Sequence, residues 1–468
     1  LAEEGGAPVI MSILIALILF FVTASVVVLG FSRRRSVIVY LLALSLLLGP
    51  RIPLGQVTDM QRLDIRIDDL ITFLMCLIAL SLFVLRKTKI NYPAYMQFLI
   101  LFIFVSLVST VYAVGYLGFP VSSSALFWGK ELSYISLCFT VPFFITKREE
   151  VVTLIKVVCV GMALNIAWLA YQILTNTKGQ LINFVEYTPS YGFTLIGDFP
   201  SFQVASVYSY ALILFTILYF GWKKNPILLG LMLGSFVGLF ATLSRSFIAC
   251  TFLVIALMTI YVVFRRRALS IKNVTIVLAF VIMTLAAGFW IYDFLAAHDF
   301  PIFRLEASQT SHALTEVRNE GIWKPLWYSF IENPIIGYGK GGVFQLLGNF
   351  DEAHNYFLRI MIETGVIGTA FFLLFLFYLL RTSFMLIGRT RDRAVYILAL
   401  NMIMTTVVLC MVSMGQDGFY SSKLAIPFYM NVGLINLAYM KRRPHAAAAP
   451  VRYSREYAQP NLGHGRTA

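Results

Sequence analysis

Long apolar runs separated by short polar connections dominate this chain. They fall near residues 8–30, 36–50, 69–85, 94–117, 131–146, 151–174, 203–222, 226–243, 247–264, 273–295, 355–380, 394–413 and 423–440. Most are continuous over roughly 16–25 residues, the length a helix needs to cross lipid, whereas barrel strands are about 10 residues and alternate. Lipid offers no partner to a backbone N–H or C=O, so each run must close its own hydrogen bonds. The pattern predicts an all-α polytopic membrane protein with about 12–13 transmembrane helices. The runs at 36–50 and 131–146 are the shortest.

Composition agrees. The 468 residues are 59% hydrophobic and 13% charged, about half the charged fraction of a soluble domain. The formal net charge of +14 would suggest a nucleic-acid partner in a soluble protein. Here the basic residues sit in clusters between apolar runs: Arg33-Arg34-Arg35, Arg86-Lys87, Lys147-Arg148, Lys223-Lys224, Arg265-Arg266-Arg267, Arg389/Arg391/Arg393 and Lys441-Arg442-Arg443. If the runs alternate in direction, all of these clusters land on one side. The positive-inside rule makes that side the cytoplasm. The N-terminus is then outside, the C-terminus inside, and no nucleic acid is implied.

Smaller features fit the same picture. The first run follows Glu3 and Glu4 rather than basic residues and exceeds a signal-peptide core, so it is expected to be a retained span. The cysteines Cys76, Cys138, Cys159, Cys250 and Cys410 all lie in apolar runs, as small buried hydrophobes do. They imply neither a disulfide framework nor a zinc site. Residues 1–444 form the transmembrane domain. The tail 445–468, with His445 and His464, is polar, low in complexity and expected to be a disordered cytoplasmic extension.

The outward connections are 51–68, 118–130, 175–202, the Ser244-Arg245-Ser246 corner, 296–354 and 414–422. Most of the remaining polar sequence is there. The longest, 296–354, contains Trp323, Trp327, Phe330, Phe344 and Phe350, so it is expected to fold, partly as helix, and loops of this length are usually functional or disordered. Function therefore faces outward.

At the end of that loop lies Asp351-Glu352-Ala353-His354-Asn355, followed by an apolar run. Asp351 is a good N-cap, which predicts a helix starting there with His354 in its first turn. The positive end of the helix dipole disfavours an imidazolium, and a neutral imidazole is what a general base requires. Asn355, Arg359 and Glu363 are spaced by four and would share a helix face. Gly365 and Thr369 are also four apart, a spacing that permits close helix approach in lipid. Arg359 and Glu363 admit two readings: function, or an ion pair at the interface with His354 capping the loop.

Two more outward arginines stand out. Arg245, in Leu243-Ser244-Arg245-Ser246, is either a ligand-binding group or an interfacial side chain snorkelling to water. Arg318 is either a second such group or the partner of Glu316 or Glu320. The run Asn333-Pro334-Ile335-Ile336-Gly337-Tyr338-Gly339-Lys340-Gly341-Gly342 is a turn, flexible or shaped for close backbone approach to a ligand. Guanidinium groups suit phosphate because their donors form a fork. No Asp/His cluster with metal-ligand spacing appears on this face, so neither a metal nor another cofactor is expected.

The segment from His354 resembles the signature of the O-antigen ligase and Wzy-type polymerase superfamily: His, then Asn/Ser/Gln, nine residues, and Gly-x-x-Gly. Here these are His354, Asn355, Gly365 and Gly368. Upstream, Arg318, Trp323 and Pro334-Ile335-Ile336-Gly337-Tyr338-Gly339 resemble the family's Arg, Trp and Pro-x-x-Gly-x-Gly elements, and Ser244-Arg245 resembles a third. The specific likeness covers roughly residues 240–370. It implies a metal-independent, inverting glycosyltransferase of GT-C type in a bacterial inner membrane, with its active site in the periplasm. The donor would be a glycan on undecaprenyl diphosphate. The acceptor would be lipid A-core for a ligase or a growing glycan for a polymerase, and the residues do not choose between them. By the same resemblance His354 activates the acceptor hydroxyl, and Arg245 and Arg318 hold the diphosphate. Helical geometry adds Arg359 to the donor site, with Asn355, Glu363, Gly337, Gly339, Lys340, Gly365 and Gly368 in support. Many relatives have a further outward arginine, whereas this chain has none between Arg148 and Arg245; Lys178 and Lys130 are the available substitutes. Pro325 predicts a kink or a helix start after Arg318. The rival class is a transporter or lipid-glycan flippase, for which internal repeats and mid-membrane charges would speak. A non-catalytic membrane scaffold is a third.

Overall fold

A computed structural model describes residues 22–32, 34–48, 51–58, 61–86, 92–175, 201–222, 224–242, 244–265, 317–348 and 353–440. The expected span at 273–295, residues 176–200 and 296–316 of the expected connections, Lys178 and the tail lie outside the described residues.

The chain is helical, as the apolar pattern predicts. Helices α1 (Val22–Phe31) and α2 (Ser36–Leu48) come first. The connection expected at 51–68 is instead an antiparallel hairpin, β1 (Arg51–Thr58) and β2 (Gln61–Arg66). Then follow α3 (Ile67–Arg86), α4 (Ala94–Gly115), α5 (Val121–Phe144), α6 (Arg148–Thr175), α7 (Ser201–Gly221), α8 (Pro226–Ala241) and α9 (Arg245–Arg265). The long loop supplies a π-helical turn (Val317–Trp323), α10 (Lys324–Glu332) and α11 (Gly342–Leu347). The chain ends in α12 (Tyr356–Arg389), α13 (Arg393–Val412), a 3₁₀ turn (Gly418–Tyr420) and α14 (Ser422–Met440). Among the described residues, six helices are long and apolar enough to cross a membrane, with four shorter apolar helices besides.

Two boundaries differ from expectation for physical reasons, and a third takes one of its two expected forms. Helix α5 starts at Val121 rather than 131, because Lys130 and Glu131, which end the apolar run, lie within the helix and Glu131 is buried against partners. Helix α12 starts at Tyr356, not at Asp351: the N-cap is Asn355, whose side chain accepts from the Phe357 and Leu358 N–H groups, both at 3.1 Å. Pro325 sits in the first turn of α10, the helix start its fixed φ favours.

Helix α12 packs along α4, α14 along α5, and α7 along α8, around one continuous apolar core. A second, smaller core lies under the loop, with Ile322, Leu326, Phe330, Tyr338, Val343, Ala353 and Ile362. The loop therefore folds, with Phe330 and Trp323 among its anchors; Phe350 is outside the described residues.

Candidate functional site

The site grows from a break in α12. Gly365 has φ 65° and ψ −170°, a conformation that only glycine adopts readily. The break opens backbone groups that the Pro334–Gly339 turn then pairs. The Val366 N–H donates to the Pro334 carbonyl at 2.8 Å, the Tyr338 N–H to the Ile362 carbonyl at 2.8 Å, and the Gly339 N–H to the Glu363 carbonyl at 2.9 Å. The contact is backbone on backbone: a Cβ on Gly365 would lie 2.1 Å from the Ile335 carbonyl oxygen, and one on Gly337 would lie 2.6 Å from the Gly365 nitrogen. Gly339, at φ 71°, is pressed against α4, where a Cβ would meet Ala113 at 2.7 Å. The close approach expected of Gly365 and Thr369 therefore occurs at Gly365, but to the loop's backbone rather than to a neighbouring span. Gly368 faces its own helix at Thr364 and, next, Val105 of α4.

Buried charges fasten this joint. The Lys340 ammonium lies 2.7 Å from Glu131 and 3.0 Å from Glu363. Burial alone would lower the pKa of Lys340, but Glu131 and Glu363 hold it above the ordinary lysine value. Glu363 also accepts from the Gly341 N–H at 3.2 Å and from Arg359 Nε at 3.1 Å. Arg359 reaches Asp417 with Nη1 at 3.0 Å and lies 3.7 Å over the Tyr420 ring. Helix α4 adds two hydroxyls: Ser109 donates to the Glu363 carbonyl at 2.6 Å and accepts from the Gly339 N–H, and Thr110 accepts from the Lys340 N–H. Five segments distant in sequence thus meet at one end of α12.

His354 is placed by its neighbours. It does not lie in the first turn of α12 but two residues before Tyr356, half-buried and at φ 49°. Few non-glycine residues adopt that region, and such strain costs about 1–3 kcal/mol that the surroundings must offset. Anchors on both sides hold it. The Trp323 indole donates to the Ala353 carbonyl at 2.8 Å, and Ala353 is fully buried. On the other side, the Tyr356 N–H donates to the Ser413 carbonyl at 2.9 Å, and its hydroxyl to Glu131 at 3.1 Å.

The sequence expectations fare unevenly here. Gly337, Gly339, Lys340, Glu363 and Gly365 meet at the joint, whereas His354 and Asn355 lie just before α12 and Gly368 faces Thr364 and Val105. Asn355 acts as the cap, so it does not share the helix face of Arg359 and Glu363. Arg359, expected to bind the donor, is 1% exposed and paired with Glu363 and Asp417. Arg245 is the first residue of α9, and Arg318 lies in the π-helical turn that ends at Trp323; their side chains are outside the described residues. Glu320 pairs with Lys324 at 2.8 Å. Lys130 is exposed at the surface of α5, its ammonium 4.9 Å over the same Tyr420 ring that Arg359 covers.

Glu131, Ser109, Thr110, Tyr356 and Asp417 escaped the sequence reading. An acid at the edge of an apolar run, as Glu131 is, was the available signal.

A polytopic helical membrane protein with a folded loop locked against a broken helix is the class so defined. Residues 227–373, just under a third of the chain, match the family model described as O-antigen ligase, Wzy_C. The matched region is thus similar to the O-antigen ligase family and contains the signature from His354 to Gly368. No curated protein matches the chain.

Proposed function

We propose that the protein transfers a glycan from undecaprenyl diphosphate to an acceptor hydroxyl at the periplasmic face of a bacterial inner membrane, in the manner of an O-antigen ligase. His354 acts as general base and takes the hydroxyl proton. The hydroxyl oxygen attacks the anomeric carbon from the face opposite the diphosphate, whose bond to the sugar breaks, so the configuration inverts. Arg245 and Arg318 stabilise the charge that grows on the departing diphosphate. The step requires no metal. Arg359, Glu363, Lys340, Glu131 and Asp417 position the loop instead of touching substrate.

The observation that carries this reading is the strained, doubly anchored placement of His354 at the mouth of the joint, inside the family match. Strain of this kind concentrates at functional sites. The basic clusters support the orientation: Arg148 meets Asp392, and Arg393 reaches the Gly221 carbonyl, at the end of the bundle away from His354. The same chemistry serves a repeat-unit polymerase, which differs in the acceptor.

The test is glycan transfer in membranes with matched protein levels. His354→Ala should lower turnover by about 10²–10⁴-fold, the usual contribution of a general base. Arg245→Lys and Arg318→Lys should each impair use of the donor, because the forked donor geometry is lost. Near-normal turnover in His354→Ala would remove it as the base, and unchanged donor use in both lysine variants would remove the diphosphate assignment.

A further inference from the structure

Helix α10 carries apolar side chains on two sides. Leu326 and Phe330 face the small core under the loop. Trp327, Tyr328 and Ile331 face away from it, and together with Ile335 just beyond the helix they are between 47% and 62% exposed. A cluster this apolar on a short loop helix marks an interaction surface.

Its surroundings say what covers it. The Val366 N–H donates to the Pro334 carbonyl, so Ile335 sits beside Val366 and Ile367, both exposed. Those two begin the outward apolar stripe of α12 that runs on through Leu373 and Phe377. Helix α4, packed beside α12, ends its own exposed stripe at Val111, next to half-buried Tyr112 and exposed Tyr116, whose ring centroids are 5.2 Å apart. The patch on α10 thus continues the lipid-facing belt of two spans at its aromatic rim. Trp and Tyr concentrate at that level of a bilayer. The opposite end of the helix is polar, with the exposed Lys324–Glu320 pair one turn back from Trp327.

We propose that α10 lies in the membrane surface, with Trp327, Tyr328, Ile331 and Ile335 inserted among lipid headgroups and the first chain segments, and the Lys324–Glu320 end in water. Its partner is the bilayer leaflet itself. Under the orientation given above that leaflet is the outer one; the insertion does not depend on the proposed catalysis.

The test uses the full chain in nanodiscs, with its five cysteines replaced by alanine and an environment-sensitive fluorophore on Ile331→Cys or, as control, Glu320→Cys. The label at 331 should emit to the blue of the label at 320, be quenched by lipid carrying a nitroxide near the headgroup, and resist aqueous iodide several-fold better. Equal iodide access at both positions, with no lipid quenching at 331, would overturn the proposal. Protection from iodide without lipid quenching would also overturn it, pointing to a second copy of the chain as cover. In the chain with its native cysteines, Trp327→Phe should remove part of the tryptophan quenching by the same lipid; no change would count equally against it. None of these readouts involves glycan transfer, so their failure is distinct from failure of the catalytic reading.

Discussion

At the basic end of the bundle, Arg148 and Asp392 face each other at 3.7 Å with both side chains exposed, and Arg393 lies against a backbone carbonyl. At the other end, Glu131, Lys340, Glu363, Arg359 and Asp417 pair at 2.7–3.1 Å with almost no exposure. The first arrangement works through excess: under the orientation proposed above, such charges would orient the spans, and none needs a fixed partner. The second works through geometry. Each charge has been removed from water, and only the partner's position makes that tolerable. Charge at one end is topology; at the other it is architecture.

The comparison can be broken by substitution. The largest expected effect is Lys340→Met, which leaves Glu131 and Glu363 buried without their shared cation. It should cost about 3–5 kcal/mol, read as an earlier thermal unfolding of the purified protein. Next is Gly365→Ala. Its Cβ meets the Ile335 carbonyl, and the residue is forced into a region that costs non-glycine residues about 1–3 kcal/mol. Stability should fall by at least that much, with the loop made more accessible to protease. Unchanged protease resistance would mean the joint tolerates displacement of its turn. The smallest effect is expected of Arg148→Ala, under about 1 kcal/mol, because exposed ion pairs contribute little. A loss there equal to that of Lys340→Met would erase the distinction between the two ends.

The two ends also differ in how far they can be read from sequence. The spans and the basic side follow from local composition, since hydropathy and charge are properties of a short window. The signature from His354 to Gly368 is likewise local. The joint is not. Glu131 finds Lys340, and Ser109 finds Glu363, across more than two hundred positions, and no window holds both partners. The start of α12 was misplaced for another reason: Asp351 and Asn355 offer the same capping chemistry, and only the packing of Tyr356 against Ser413 and Glu131 selects the second. The neighbours of Arg359 in sequence show one acid, Glu363, whereas its second partner, Asp417, comes after the next helix.

The distance between Glu131 and Lys340 also matters while the protein is being made. A ribosome adding about 5–20 residues per second delivers Lys340 some tens of seconds or less after Glu131. Throughout that interval Glu131 lacks the Lys340 ammonium that it pairs with in the folded protein. Asp417 is synthesised later still and arrives to find Arg359 waiting. The end that holds the buried charges is therefore the last part of the molecule to close, and a chain truncated before Asp417 would leave that end ajar.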